Sequence, residues 1–239
     1  MLVRPWGVYE PQGDSLLLRE ALLKSAVPSG ARALDVCSGT GLIALTAARL
    51  GARPVRAIDT SYRAVLTARC NARLNRLRIR VEHGDFRHRL GGHRPPGHRF
   101  DLVTANPPYV PTPGTDDPKG AARAWNAGPD GRLYLDRLCA MAPQLLHPGG
   151  TMLVVHSALC DPDRTLHLLV RAGLKASVVA RRRQPFGPVL TARADWLTDR
   201  GLIRRGQTEE ELVVVRADRA TSPPRVPHGP GAGTAASTP

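Results

Sequence analysis

The chain reads as an α/β fold, a mostly parallel sheet with helices on both faces. Three observations predict it. Short apolar runs alternate with Ala- and Leu-rich segments of helical period along most of the 239 residues. A Gly-containing turn joins the first apolar run to the helix after it. Acidic residues then recur at the ends of successive apolar runs, at Asp35, Asp59 and Asp85.

The elements follow in order. Asp14 to Val27 reads as a helix with a leucine stripe, with Asp14 or Ser15 as its cap, and Pro28-Ser29-Gly30 breaks it. Ala31 to Cys37 is a first strand and Leu42 to Leu50 a helix. Pro54 to Ile58 is a strand, Ser61 to Leu74 a helix, Ile79 to Glu82 a third strand and Phe100 to Ala105 a fourth. The later half gives a helix over Arg132 to Leu146, a strand over Thr151 to Val155, a helix over Asp163 to Ala172 and a strand over Ala176 to Ala180. Glu211 to Val215 is the last strand, so the sheet has seven. Gln184 to Glu210 is a long connection with a helix around Ala192 to Asp199. Residues 1–216 form one domain, and 217–239, rich in Pro, Gly, Ser and Thr, are expected to be a disordered tail.

Composition excludes several classes. No run approaches the roughly 20 apolar residues of a membrane span, and the N-terminus has no apolar signal-peptide core. The expected location is cytoplasmic. The four cysteines are far apart and form no C-x-x-C pair, which argues against a zinc or redox site and, except at Cys37, for isolated buried thiols. His83, His88, His93 and His98 lack companion ligands and read as a solvated stretch, so no metal is expected. The net charge of +14 comes almost entirely from Arg. With 23 Gly and 22 Pro it fits GC-driven drift, while pointing in second place to RNA, DNA or a ribosome-associated partner. Arg69, Arg73 and Arg76 recur at helical spacing as a solvent face.

The segment Leu34-Asp35-Val36-Cys37-Ser38-Gly39-Thr40-Gly41 sits where a strand turns into a helix, and its glycines let a ligand approach the backbone. Asp59 lies about twenty residues further on, the place of a ribose-binding carboxylate in nucleotide-type units. Gly84-Asp85-Phe86 ends the third strand, with a carboxylate for an amino group and a ring for a base. A dehydrogenase would want G-x-G-x-x-G; here Gly39 and Gly41 are followed by Ala44, and that reading leaves the fourth strand unexplained.

The fourth strand runs into Asn106-Pro107-Pro108-Tyr109. The paired prolines make a stiff turn. In it the Asn106 amide oxygen and the Pro107 carbonyl can both accept from one substrate NH2. Holding both hydrogens directs the nitrogen lone pair of a planar amino group at a sulfonium methyl, for in-line transfer by positioning and electrostatics. Tyr109 offers a flat face. Adenine N6, guanine N2 and a glutamine amide all fit.

This set of segments resembles class I methyltransferases, with their Rossmann-like sheet, and within them the HemK/PrmC-like family of protein glutamine methyltransferases. The resemblance rests on Val8-Tyr9-Glu10-Pro11-Gln12-Gly13-Asp14-Ser15, the turn from Asp35 to Gly41, and Asn106 to Tyr109. The first block, with Ala124-Trp125 and Gly131-Arg132, is similar to the short branch of eukaryotes and archaea. Similarity covers residues 8–183 and the last strand. It implies S-adenosyl-L-methionine as cofactor, held by Ser15, Asp35, Cys37, Gly39, Gly41, Asp59, Asp85, Phe86 and Asn106. It implies that Asn106, Pro107, Pro108 and Tyr109 take the acceptor amide. The implied partner is a protein substrate, the Gly-Gly-Gln loop of a translation release factor, and in the short branch a small zinc-binding activator subunit, which this sequence leaves open. The tetrapeptide is shared with DNA and RNA amino-methyltransferases, so nucleic acid stays as an alternative substrate. A catalytically silent cofactor- or partner-binding module is the third reading. Three departures bear on this: Cys37 stands where the family has glycine, the segment ahead of Val8 is too short for the bacterial helical domain, and the 184–210 connection is long.

Overall fold

The protein's structure, a computed structural model, describes residues 1–90, 99–114 and 120–221. His93, His98 and residues 222–239 of the expected tail lie outside them. Seven strands form one sheet among the described residues: β1 (Ala33–Val36), β2 (Val55–Asp59), β3 (Ile79–His83), β4 (Phe100–Ala105), β5 (Leu146–Ser157), β6 (Leu174–Pro185) and β7 (Glu209–Arg219). Their order is β3-β2-β1-β4-β5-β7-β6. β1 to β5 run parallel, and β7 is antiparallel to both of its neighbours.

The helices are α1 (Gly13–Lys24), α2 (Leu42–Arg49), α3 (Tyr62–Leu74), α4 (Phe86–Arg89), α5 (Leu133–Leu145), α6 (Pro162–Arg171), α7 (Pro188–Ala192) and α8 (Ala194–Asp199). Sandwiched between them, β1 is buried at every position, and its neighbour β4 at all but Asp101. Strands covered on both faces read as continuous apolar runs. The main core joins Leu34, Val36, Val103 and Ala105 of these strands to Leu18 and Leu22 of α1 and Leu135 and Leu138 of α5. The chain order reverses between β1 and β4, so their C-terminal ends open a crevice at the sheet's switch point, where open α/β sheets take ligands.

Several boundaries differ from the sequence reading. β6 and β7 pair continuously from Leu174↔Arg219 to Pro185↔Glu209, well past the apolar stretches that announce them. The extra length is polar: Arg181 is ion-paired to Glu211 at 2.6 Å and Gln184 to Glu210 by a 3.0 Å hydrogen bond. Charged cross-strand pairs carry no hydrophobic alternation, so the pattern hides them. The last strand therefore continues past residue 216, to Arg219. Ala217 is buried opposite Met152, and the Arg219 guanidinium donates to the carbonyls of Pro143 and Leu146 at the end of α5.

The 184–210 connection contains α7 and α8, whose Leu190, Leu197 and Ile203 form a second small core against Val110 and Leu159. α1 starts at Gly13 with Gln12 as N-cap and no side-chain cap. Asp14 and Ser15 lie inside the helix, buried, and serve the crevice instead. Among the thiols, Cys139 and Cys160 are buried as expected and Cys70 is exposed. Arg69 is on the solvent face as expected, and its guanidinium also caps the Val81 carbonyl on edge strand β3 at 2.7 Å.

Candidate active site

The turn leaving β1 is left-handed at Cys37 (φ 59°), Gly39 (φ 53°) and Gly41 (φ 83°). Asp35 ties it down. Its carboxylate accepts from the Ala44 N–H in the first turn of α2 at 3.2 Å and from the Thr104 hydroxyl on β4 at 2.8 Å. Around Gly39 an added Cβ would meet nothing within 4 Å, so the turn leaves open space on the crevice side. At Gly41 the same atom would sit 3.0 Å from the Ala68 Cβ, a close helix-to-turn packing that glycine permits. Cys37 holds a conformation that disfavours a side chain. Burial, with Asp59, Asp35 and Asp85 nearby, pushes its thiol well above the usual value.

Burial also raises the Asp35 carboxyl to about 7, and the bonds from Thr104 and Ala44 offset this in part. The sign of the stability effect follows. Between about pH 4 and 7 the folded chain keeps a proton that the unfolded chain releases, so this group's contribution to stability falls as pH rises. Asp35→Asn removes that dependence. Relative to wild type, the variant is expected to gain up to ~4 kcal/mol on going from pH 4 to pH 7, three pKa units at about 1.36 kcal/mol each. Urea unfolding of both proteins at the two pH values checks it; a stability difference that does not change with pH refutes it.

Asp59 closes the crevice from β2. Its two oxygens accept from the Gly39 and Ser61 N–H groups, each at 2.8 Å. Burial raises its pKa against those bonds. The next two residues follow the end of β3 and have partners within the chain. Asp85 caps α4 and is held by the Arg87 guanidinium at 2.7 and 2.9 Å. Partial burial raises its pKa, but the bonds from the Arg87 side chain and backbone together pull it below the usual carboxylate value. Phe86 is buried in the core with its ring 6.3 Å from that of Tyr134. The half-buried Arg87 guanidinium lies 5.1 Å over the Tyr134 ring.

Asn106, Pro107, Pro108 and Tyr109 leave β4 into the crevice opposite. The Asn106 Nδ2 donates to the Ser15 hydroxyl at 3.1 Å, leaving Oδ1 as the amide's acceptor end. Tyr109 is buried and its hydroxyl donates to Asp14 at 3.0 Å; Tyr9 donates to the same oxygen at 2.8 Å. Its ring is therefore fixed by its own hydroxyl. The following residues are clamped from three sides. The Val110 and Thr112 N–H groups donate to the Trp125 and Gly128 carbonyls at 2.7 and 2.9 Å. Arg193, from between α7 and α8, donates to the Pro111 carbonyl at 2.8 Å and to Asn126 at 2.7 Å. Gly131 packs on the Tyr109 carbonyl, and buried Arg132 holds the Cys160 and Asp161 carbonyls and Thr165 after β5.

Sequence reasoning missed Asp14 and Glu210. Asp14 reads locally as a helix cap. Glu210 sits in a charged run, yet it is buried beside the tyrosines, with one oxygen accepting from Gln184 and Oε2 without a partner among the described residues. Burial raises its pKa, the bonds from Ser157 and Gln184 oppose this, and Asp14 adds to the rise.

Comparison with known proteins is consistent with this geometry. Residues 12–122 match the family described as Methyltransferase small domain. A Methanocaldococcus jannaschii protein named for protein N5-glutamine methylation is 33% identical over 190 residues, covering 78% of this chain and 91% of that one. The release factor glutamine methyltransferase of Mycolicibacterium smegmatis is 33% identical over 184 residues, 73% of this chain but 63% of its own length. Among solved structures, the E. cuniculi Mtq2–Trm112 complex, described as methylating the eRF1 termination factor, superposes with a TM-score of 0.61 at 20% identity, covering 90% of this chain and 99% of that one. No helix among the described residues is long and apolar enough to cross a membrane. With its seven-stranded sheet and the matching relatives, the chain belongs to the HemK-like family of class I S-adenosylmethionine-dependent methyltransferases.

Proposed function

We propose that this enzyme methylates the side-chain amide nitrogen of a glutamine in a translation release factor, using S-adenosyl-L-methionine. The observation that carries the reading is the Asn106 amide, whose NH2 end donates to Ser15 and whose oxygen remains to accept from a substrate NH2. Asn106 Oδ1 and the Pro107 carbonyl hold the two amide hydrogens, and the buried Tyr109 makes one wall. The relatives named for glutamine methylation favour an amide over a base as the acceptor.

The cofactor, when bound, supplies an electrophilic methyl on sulfur. The residues present fit it. The open space at Gly39 admits a ligand against the backbone, and Asp59 at the end of β2 retains lone pairs for ribose hydroxyls. Ser15, Asp35, Cys37, Gly41 and Asn106 complete that side. Asp85 and Phe86 follow at the end of β3, where Asp85 is already held by Arg87.

The test offers methyl-labelled S-adenosyl-L-methionine with a release factor carrying its Gly-Gly-Gln loop, and separately with DNA and RNA. Label on the glutamine of that loop is expected. Label on nucleic acid alone would overturn the protein-substrate reading, and cofactor binding without transfer to any of the three would point to a silent module.

A further inference from the structure

We propose that Asp14 is a positioning residue that, through the Ser15 hydroxyl, fixes which end of the Asn106 amide faces the acceptor. The inference deepens the amide-transfer reading and rests on it for the role of Asn106. An asparagine amide has a donor end and an acceptor end of nearly the same shape, so sterics alone do not choose between them. Hydrogen-bond polarity does. Four donors converge on the two oxygens of Asp14: Tyr9 and Tyr109 on Oδ2 at 2.8 and 3.0 Å, and the Ser15 N–H and hydroxyl on Oδ1 at 2.5 and 3.1 Å. A carboxylate offers about four lone-pair sites and no hydrogen, so the cluster is complete. A backbone N–H donates by necessity. Both phenols are held in their protonated, donating form, since burial and then Asp14 push their pKa values far up.

With its proton committed to Asp14, the Ser15 oxygen is left as an acceptor. The Asn106 group 3.1 Å away must therefore be Nδ2, and Oδ1 must take the other direction. Were the amide reversed, two acceptor oxygens would face each other and the substrate NH2 would meet an NH2, both repulsive. Asp14 and Ser15 are buried and adjacent in the first turn of α1, so a rigid helix carries this polarity to the crevice.

The nearly isosteric Asp14→Asn variant keeps the volume and inserts hydrogens among those donors. It is expected to lower kcat about tenfold, the scale of one hydrogen bond's worth of orientation. The KM for the acceptor and the cofactor Kd, measured by calorimetry, should stay within about threefold. Ser15→Ala should lower kcat to the same extent, with a larger rise in cofactor Kd because Ser15 also lines the cofactor side. Because the two act in series on one amide, the double variant should be no slower than Ser15→Ala alone. Multiplying losses, or full kcat in either single variant, overturn the proposal. The same cycle can be run on whichever NH2 acceptor the wild type uses. No transfer to glutamine but a series-type cycle on adenine would sink the substrate reading and leave the relay standing; a wild type inactive on every acceptor would sink both. Melting temperatures of the four proteins separate lost orientation from lost folding.

Discussion

Asn106→Ala is expected to lower methyl transfer by roughly 10²–10³-fold, the usual loss when one preorganised polar contact to the reacting group is removed. The residue stands at the end of β4, whose neighbour β1 carries the cofactor-side turn, so its amide oxygen is presented to the crevice by a rigid central strand. Truncation removes one of the two acceptors that orient the substrate nitrogen. The remaining acceptor, the Pro107 carbonyl, holds one hydrogen and lets the NH2 plane swing away from the line of attack. It also leaves the Ser15 oxygen without its Asn106 donor. The open turn at Gly39 and the Asp59 bonds are untouched, so cofactor affinity should fall little. Single-turnover rates with saturating cofactor, beside calorimetric cofactor binding, separate the two effects. Undiminished turnover would refute the role given to that side chain.

How much of this was readable beforehand depends on how far apart the interacting atoms lie along the chain. β4 is legible to the residue, Phe100–Ala105, because burial on both faces forces a continuous apolar run. The β6–β7 hairpin is legible at its apolar middle alone, since the outer pairs are Arg and Glu on a solvated edge. Asp59 and the Gly39 turn are local enough to be read from spacing, and they do meet at 2.8 Å. Phe86 is not decided by sequence: an aromatic at a strand end suits a ligand wall and a core equally, and Tyr134 claims it for the core. Asp85 reads as an acceptor for a ligand amino group, and a guanidinium two residues later also engages it. Asp14 looks like a cap because its true partners include a phenol 95 positions away. The 184–210 connection was read as a loop with one helix. Its small core closes on Val110 and Leu159 from distant segments, which no window of sequence contains.

Gly131→Ala should be the most damaging single methyl addition near the catalytic turn. Gly131 is left-handed at φ 71°, and an added Cβ would meet the Tyr109 carbonyl oxygen and the Cys160 sulfur at 2.3 and 2.7 Å. The oxygen is backbone and cannot rotate aside. The sulfur donates to that same carbonyl at 3.0 Å, so moving either one breaks the bond between them. The conformational cost alone is about 1–2 kcal/mol; displacing packed backbone adds about 1–3 kcal/mol. A total near 3 kcal/mol corresponds to a fall in Tm of roughly 6–12 °C for a chain of this size. Gly173→Ala supplies the comparison. Its φ is 83°, yet nothing lies within 4 Å of the added atom, so it bears the conformational cost by itself and should lose about 1–2 kcal/mol. The difference between the two variants in urea midpoint, at unchanged slope, measures the steric part. Because the strain in Gly131→Ala falls on the carbonyl of Tyr109, transfer should drop further than cofactor affinity, while Gly173→Ala leaves both alone. Equal destabilisation of the two variants would mean that the catalytic turn yields freely, and the rigid placement of Asn106 would go with it.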